Sequence, residues 1–126
     1  MIVGVGIDIV EIDRMRRILE SKSDRLIERV FTTEETRYAL AHVEPALHFA
    51  ARIAAKEATY KALSGNPLAR AVGWREIEVL LREDGAPYLM LHGRARDRAA
   101  ELAVERSLVS LTHSKTAAVA VVILER

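Results

Sequence analysis

Hydrophobic and polar positions along the chain predict a mixed order of strands and helices. Residues 2–9, IVGVGIDI, are β-branched and apolar with two glycines among them, and they read as a strand. Alternation with period two puts Val3, Val5 and Ile7 on one face and Gly4, Gly6 and Asp8 on the other. Met15, Ile18 and Leu19 form a helical stripe that predicts a helix over 14–22, with Asp13 as its cap. Thr32 and Glu35 have the spacing of a capping box and should open a helix over 33–42. Pro45 suits the start of a long helix running to Leu63, which Ser64-Gly65-Asn66-Pro67 stops. Residues 74–81 and 87–91 read as a hairpin about the turn Glu83-Asp84-Gly85-Ala86. His92-Gly93 breaks the second strand, and 94–105 reads as a helix. Two strands, 107–113 and 117–124, close the chain around Ser114-Lys115-Thr116. Helices mixed with antiparallel hairpins predict the α+β class. No repeat, linker or low-complexity tract divides residues 1–126, so one domain is expected.

Composition narrows the function classes. Half of the 126 residues are hydrophobic, enough for a core, and only 5% are aromatic, so that core is aliphatic and alanine-rich. With 19 basic and 18 acidic residues the net charge is +1, which argues against a general nucleic-acid binder. The absence of cysteine excludes disulfides, thiolate chemistry and cysteine-ligated zinc. The apolar N-terminus is short, lacks a basic leader and is interrupted by Asp8, and no apolar run approaches about 20 residues. A cytoplasmic protein with no membrane partner is expected.

The long helix carries the sharpest signal. In AAKEATYKAL, residues 54–63, Ala51, Ala54, Ala55, Ala58 and Ala62 share one arc. Arg52, Lys56 and Thr59 share a second, read as the solvated face. Glu57 and Lys61 fall on neither. They form either an i,i+4 surface pair or a half-buried site in which the carboxylate meets a cation or a metal. Asp8 ends an apolar strand on its glycine face, where it either caps a turn or joins Glu57 as a second hard oxygen ligand. Magnesium is commonly held by one or two carboxylates plus substrate phosphates. Lys61, Arg52 and His113 could then meet phosphate charge.

His113, in SLTHSKTAAVAV, lies at a strand end among Thr112, Ser114 and Lys115, a polar cluster suited to phosphate oxygens or to a structural role. His42, His48 and His92 have no metal-ligand spacing. Residues 14–29 carry a basic excess, with Arg14, Arg17, Lys22 and Arg25 among its members, on a helix with an apolar stripe. This is a solvated face or a dock for an acidic protein. The P-loop, the complete dinucleotide fingerprint and the GxSxG elbow are all absent.

GVGIDIVEIDR, FTTEE, AARIAAKEATYKAL, DGAP and SLTHSKTAAVAVV, in that order over nearly the whole chain, resemble the holo-acyl-carrier-protein synthases, the short single-domain 4′-phosphopantetheinyl transferases. The resemblance implies an antiparallel sheet packed with a long central helix. It implies transfer of the phosphopantetheine arm of coenzyme A to a serine of an apo acyl carrier protein, with release of 3′,5′-ADP and dependence on Mg2+. By motif position Asp8 and Glu57 are the metal ligands, and Lys61 faces the pyrophosphate. Arg52, Thr112 and His113, with Gly85 and Pro87 of the G-x-P turn, belong to the coenzyme A set. The basic first helix, with Arg14, Arg17 and Arg25, matches the face that receives the carrier. The family implies a homotrimer with active sites between subunits. Glu57, directly or through water, is the candidate base for the serine. The carrier is one of fatty acid biosynthesis or a specialised one such as a polyketide carrier; a non-catalytic module that holds an acidic protein is the reading of another class. The chain departs from the family in Ser64-Gly65-Asn66-Pro67, where a G-T-G segment is usual, in Ile53 for phenylalanine, and in Ala86 for a basic residue.

Overall fold

A computed structural model describes residues 1–21 and 24–126. In chain order the elements are β1 (Ile2–Glu11), α1 (Ile12–Glu20), α2 (Asp24–Val30), α3 (Thr33–Leu40), α4 (Pro45–Leu63), the short α5 (Pro67–Arg70), a 3-10 turn (Trp74–Glu76), β2 (Ile77–Leu81), β3 (Pro87–Leu91), α6 (Gly93–Glu101), β4 (Arg106–His113) and β5 (Ala117–Glu125). Strands β1, β5 and β4 form an antiparallel sheet in that order, and β2 and β3 form a separate hairpin. The expected α+β class holds, with α4 lying across the inner face of the sheet.

That crossing depends on small residues. A Cβ on Gly6 would lie 1.7 Å from the carbonyl oxygen of Ala58, and one on Gly4 would lie 2.2 Å from that of Ala62. The backbones of β1 and α4 therefore touch where glycine faces alanine. Ala54, Ala55, Ala58 and Ala62 join Val122 and Leu124 of β5 in one core cluster, and Phe31, Phe49 and Met15 centre a second.

Several expectations need correction. Asp13 does not cap α1: Glu11 is the N-cap residue and Asp13 lies in the first turn. The helix expected over 14–22 runs from Ile12 to Glu20, and a second helix follows from Asp24; Lys22 lies outside the described residues. Trp74–Glu76 is a 3-10 turn leading into β2 rather than part of the strand. The helix expected to reach residue 105 stops at Glu101, because Ala103 takes a left-handed conformation, φ 57°, that reverses the chain. The Thr32–Glu35 capping box and the α4 limits are as expected.

The arc Arg52, Lys56, Thr59 is buried, not solvated. Lys56 Nζ donates to Glu35 Oε1 (2.8 Å), Trp74 O (3.0 Å) and Ile77 O. Glu35 also accepts from Thr32 N (2.9 Å) and Val79 N (3.0 Å). Thr59 Oγ1 donates to Ala55 O at 2.7 Å. A buried polar group is tolerable when its donors and acceptors have partners, and those of Lys56 all come from distant segments.

The departing loop after α4 is ordered by its own contacts. Asn66 Oδ1 accepts from Ala69 N (2.9 Å) and caps α5, while Arg98 donates to Leu63 O (2.8 Å) and Ser64 O (3.1 Å).

Candidate active site

The close approach at Gly6 positions Asp8, two residues further on the same face of β1. Its carboxylate arrives beside Glu57 and Lys61, which stand one turn apart on α4. Lys61 Nζ donates to Asp8 Oδ1 and to Ile7 O, both at 3.0 Å. The ion partner of Lys61 is thus Asp8 rather than Glu57, and the helical surface pair does not form. Burial first, and then the charge of Asp8, push the Glu57 carboxyl above the ordinary carboxylate range; Lys61 opposes them.

Among the described residues no group of three or more His, Cys, Asp or Glu could hold a metal alone. Two adjacent carboxylates do fit magnesium, which keeps waters and substrate phosphates in its remaining positions. The repulsion that raises Glu57 is the kind a cation between the two carboxylates would relieve.

Five other expected residues meet elsewhere. Arg52, Gly85, Pro87, Thr112 and His113 line a second cleft of about 250 Å³, with Tyr38 and His48. Arg52 is 3% exposed, its Nε has no partner, and its guanidinium lies 4.3 Å from the Tyr38 ring centre. No carboxylate lines this cleft. Burial lowers the pKa of His48, and the charges of His42, Arg52 and His113 add to the effect. The rings of His42 and His48 are 4.3 Å apart, and that of Tyr38 is 4.2 Å from His42. A cationic cluster without an acid is suited to an anion. Sequence reading missed Tyr38 and His48. The i,i+4 spacing of His48 and Arg52 on α4 was the available signal.

A third cleft, of about 550 Å³, joins Asp8, Glu11, Glu57 and Arg14 to apolar side chains of α1 and α2. Of the basic residues on the first helices, Arg14 reaches this cleft. Arg17 and Arg25 are exposed and do not line it.

The clefts lie on opposite sides of α4. Arg52 and Glu57 are five residues apart, which turns their side chains about 140° from each other. The outer face of the sheet is apolar and bare. Val5, Ile7 and Ile9 are 57%, 61% and 63% exposed. They pair across β1 and β5 with Ile123, Val121 and Val119, and Leu108 of β4 pairs with Ile123.

A family model for the 4′-phosphopantetheinyl transferase superfamily matches residues 4–122. The chain belongs to the 4′-phosphopantetheinyl transferase superfamily. The holo-[acyl-carrier-protein] synthase of Geobacter metallireducens is 44% identical over 126 residues, spanning 100% of this chain and 99% of its own. The crystal structure of holo-[acyl-carrier-protein] synthase from Neisseria meningitidis superposes with a TM-score of 0.86 at 26% identity, covering 100% of both chains. The ACPS–CoA complex of Chronobacterium ammoniagenes gives a TM-score of 0.81 at 31% identity, covering 96% of this chain and 95% of its own. Membership in the superfamily makes the chain a transferase. No helix among the described residues is long and apolar enough to cross a membrane.

Proposed function

We propose that this chain transfers the 4′-phosphopantetheine arm of coenzyme A to a serine of an apo acyl carrier protein, releasing 3′,5′-ADP. The observation that carries the reading is the meeting of Asp8, Glu57 and Lys61 at the edge of a cleft that also holds Arg14. Asp8 and Glu57 would hold a magnesium ion, which when bound neutralises charge on the pyrophosphate. Lys61 brings an ammonium to the same phosphate oxygens and meets the charge that develops on the departing 3′,5′-ADP. The serine hydroxyl attacks the phosphorus that bears the arm, and the bond from that phosphorus to the ADP oxygen breaks. Glu57, directly or through a water, is placed beside Asp8 to take the serine proton. Arg52, Thr112 and His113 offer the second cleft to the phosphates of the nucleotide, and Gly85 and Pro87 line its wall. Arg14 at the cleft, with the exposed Arg17 of α1 and Arg25 of α2, attracts the acidic carrier.

The two clefts point to a homotrimer. One chain turns its halves of the coenzyme site away from each other around α4. A second copy packed on the bare outer face of the sheet, where Thr112 pairs with Val119, would bring one chain's Thr112 and His113 toward its neighbour's Asp8 and Lys61. Carriers of fatty acid biosynthesis and specialised carriers share this chemistry, and relative kcat/KM on each separates them.

The test is the intact mass of an apo acyl carrier protein after incubation with this protein, coenzyme A and magnesium. The expected result is a gain of one phosphopantetheine, lost with EDTA and in Asp8→Ala. No gain on any carrier, with no binding of coenzyme A, would leave a module that merely holds an acidic protein. Light scattering should give a trimer that Ile7→Asp disperses with loss of activity. A fully active monomer would refute the shared site.

A further inference from the structure

The last turn of α4 carries Lys61, and its end is held by a side chain from another helix. The final carbonyls of a helix have no partner within it. Here the C-cap residue Ser64 is extended, with φ −58° and ψ 163°, and its N–H reaches Lys61 O at 3.2 Å. The carbonyls of Leu63 and Ser64 are met by Arg98 of α6, which donates through Nε at 2.8 Å and through Nη2 at 3.1 Å. Its third nitrogen, Nη1, donates to Glu101 Oε1 at 3.1 Å, and Asn66 Nδ2 donates to the same oxygen at 2.9 Å. Arg98 is only 9% exposed. We propose that Arg98 is a positioning residue for the transfer: it fixes the last turn of α4, and through it the Lys61 ammonium at the leaving phosphate. The inference rests on the transferase reading and adds to it a residue that lines neither the Arg14 cleft nor the nucleotide cleft.

Lys61 needs such a support. Its flexible four-carbon stem is half exposed, so its own packing does not hold it. Two bonds place the ammonium, to Ile7 O and to Asp8 Oδ1, both at 3.0 Å. Both acceptors belong to β1, so they are reached only while the last turn keeps its distance from that strand. On the strand side the turn meets Gly4, where an added Cβ would come within 2.2 Å of Ala62 O. A steric contact of this kind sets how near the turn can come and does not draw it in. Arg98 supplies attraction from a second element. Ala95 and Ala99 of α6 share the core cluster of Ala58, Ala62 and Leu63, so the helix that carries Arg98 is itself seated against α4.

The choice of arginine fits the task. A planar fork serves two carbonyls and a carboxylate in one fixed geometry, which the single point charge of a lysine does not. A cation at the C-terminal end of a helix also opposes the negative end of its dipole. Glu101 aims the fork and ties it to Asn66 in the loop after α4. Its side chain is partly exposed, so it can be shortened without opening the core.

The test is a double-mutant cycle on kcat for carrier modification, at saturating coenzyme A and magnesium. Arg98→Met should lower kcat about tenfold and leave KM for the carrier within about twofold of wild type. In a Lys61→Ala background the same change should lower kcat by less than about twofold, because the group that it positions is gone. Arg98→Lys should fall between Arg98→Met and wild type. Glu101→Ala should lower kcat about threefold with the same dependence on Lys61, and it carries the comparison if Arg98→Met does not fold. A loss of the same factor with and without Lys61 is what a merely structural role would give. That result, or a folded Arg98→Met protein with kcat within about twofold of wild type, would overturn the proposal and leave the transferase reading standing. A wild-type protein that modifies no carrier would overturn both.

Discussion

Replacing Gly6 by alanine tests whether the β1–α4 contact positions the site. The new Cβ would fall 1.7 Å from the Ala58 carbonyl oxygen and 2.7 Å from its carbon. An ordinary contact requires the two backbones to part by roughly 1.5 Å, and neither side is a flexible side chain that can swing away. Overpacking of this kind costs about 1–3 kcal/mol, and two backbones in opposition put Gly6→Ala at the upper end. For a chain of this length about 3 kcal/mol lowers the melting temperature by roughly 10 °C. Asp8 lies two residues away on the same face, so the displacement reaches its carboxylate. A misplacement of about 1 Å at a reacting group can cost about a hundredfold in rate. Gly4→Ala is the comparison. Its Cβ would stand 2.2 Å from Ala62 O, beside the irregularity between Ile2 and Gly4 and twice as far along the strand from Asp8. It should destabilise the fold with a smaller loss of activity. The assay is kcat/KM for carrier modification at 25 °C, below the melting transition, with protein concentration held fixed because an oligomer melts in a concentration-dependent way. A folded Gly6→Ala protein with kcat/KM within about threefold of wild type would show that the close approach does not position Asp8.

Three further outcomes follow from the same geometry. Lys56→Met leaves the Glu35 carboxylate buried with two backbone donors and no cation. It should cost about 3–5 kcal/mol in urea denaturation, and pairing it with Glu35→Gln should recover part of that loss. Burial first, and then the neighbouring His42, Arg52 and His113, lower the pKa of His48, and a bound phosphate would favour its protonated form. Binding of 3′,5′-ADP should therefore take up a proton and tighten as pH falls from about 8 to 6; calorimetry in buffers of different ionisation enthalpy reads the uptake, and His48→Gln should flatten it. Arg14→Glu should raise KM for the carrier about tenfold or more, steepen the loss at low salt and leave the affinity for 3′,5′-ADP unchanged, because Arg14 lines the cleft with Glu57 and not the nucleotide cleft.

What could be read from the sequence was local. The strand alternation put Gly4, Gly6 and Asp8 on one face, and that face meets α4. The capping box at Thr32 and the proline at the start of α4 marked their elements because each signal acts within one turn. The arcs of α4 misled for the opposite reason. A helical wheel reads Lys56 as a solvated charge, since its anion, Glu35, is 21 residues away and its two carbonyls come from the 3-10 turn and the first residue of β2. Lys61 was read against Glu57, its neighbour in sequence, while its partner Asp8 lies 53 residues away on another strand. In both cases the polar residue was seen and its partner was not. Motif order supplied the family, which spacing alone could not.

The alanines of α4 take on a further meaning once both sides of the helix are seen. Alanine is the best helix former, yet propensity alone would be served as well by leucine or glutamate. Thickness separates them. At Ala54, Ala58 and Ala62 any larger side chain would lift the helix from β1 and β5, where glycine and alanine backbones now touch. A lifted helix would carry Glu57 and Lys61 away from Asp8 on one side, and Arg52 away from the edge of β4 on the other. The two halves of the site are therefore tied to one distance, that between α4 and the sheet. Substitutions on the alanine arc, such as Ala58→Val, should impair metal-dependent transfer and nucleotide binding together, whereas changes to Asp8 or His113 should affect mainly one. A variant of Ala58 that lost transfer while keeping its full affinity for 3′,5′-ADP in the absence of metal would show that the two sides move independently.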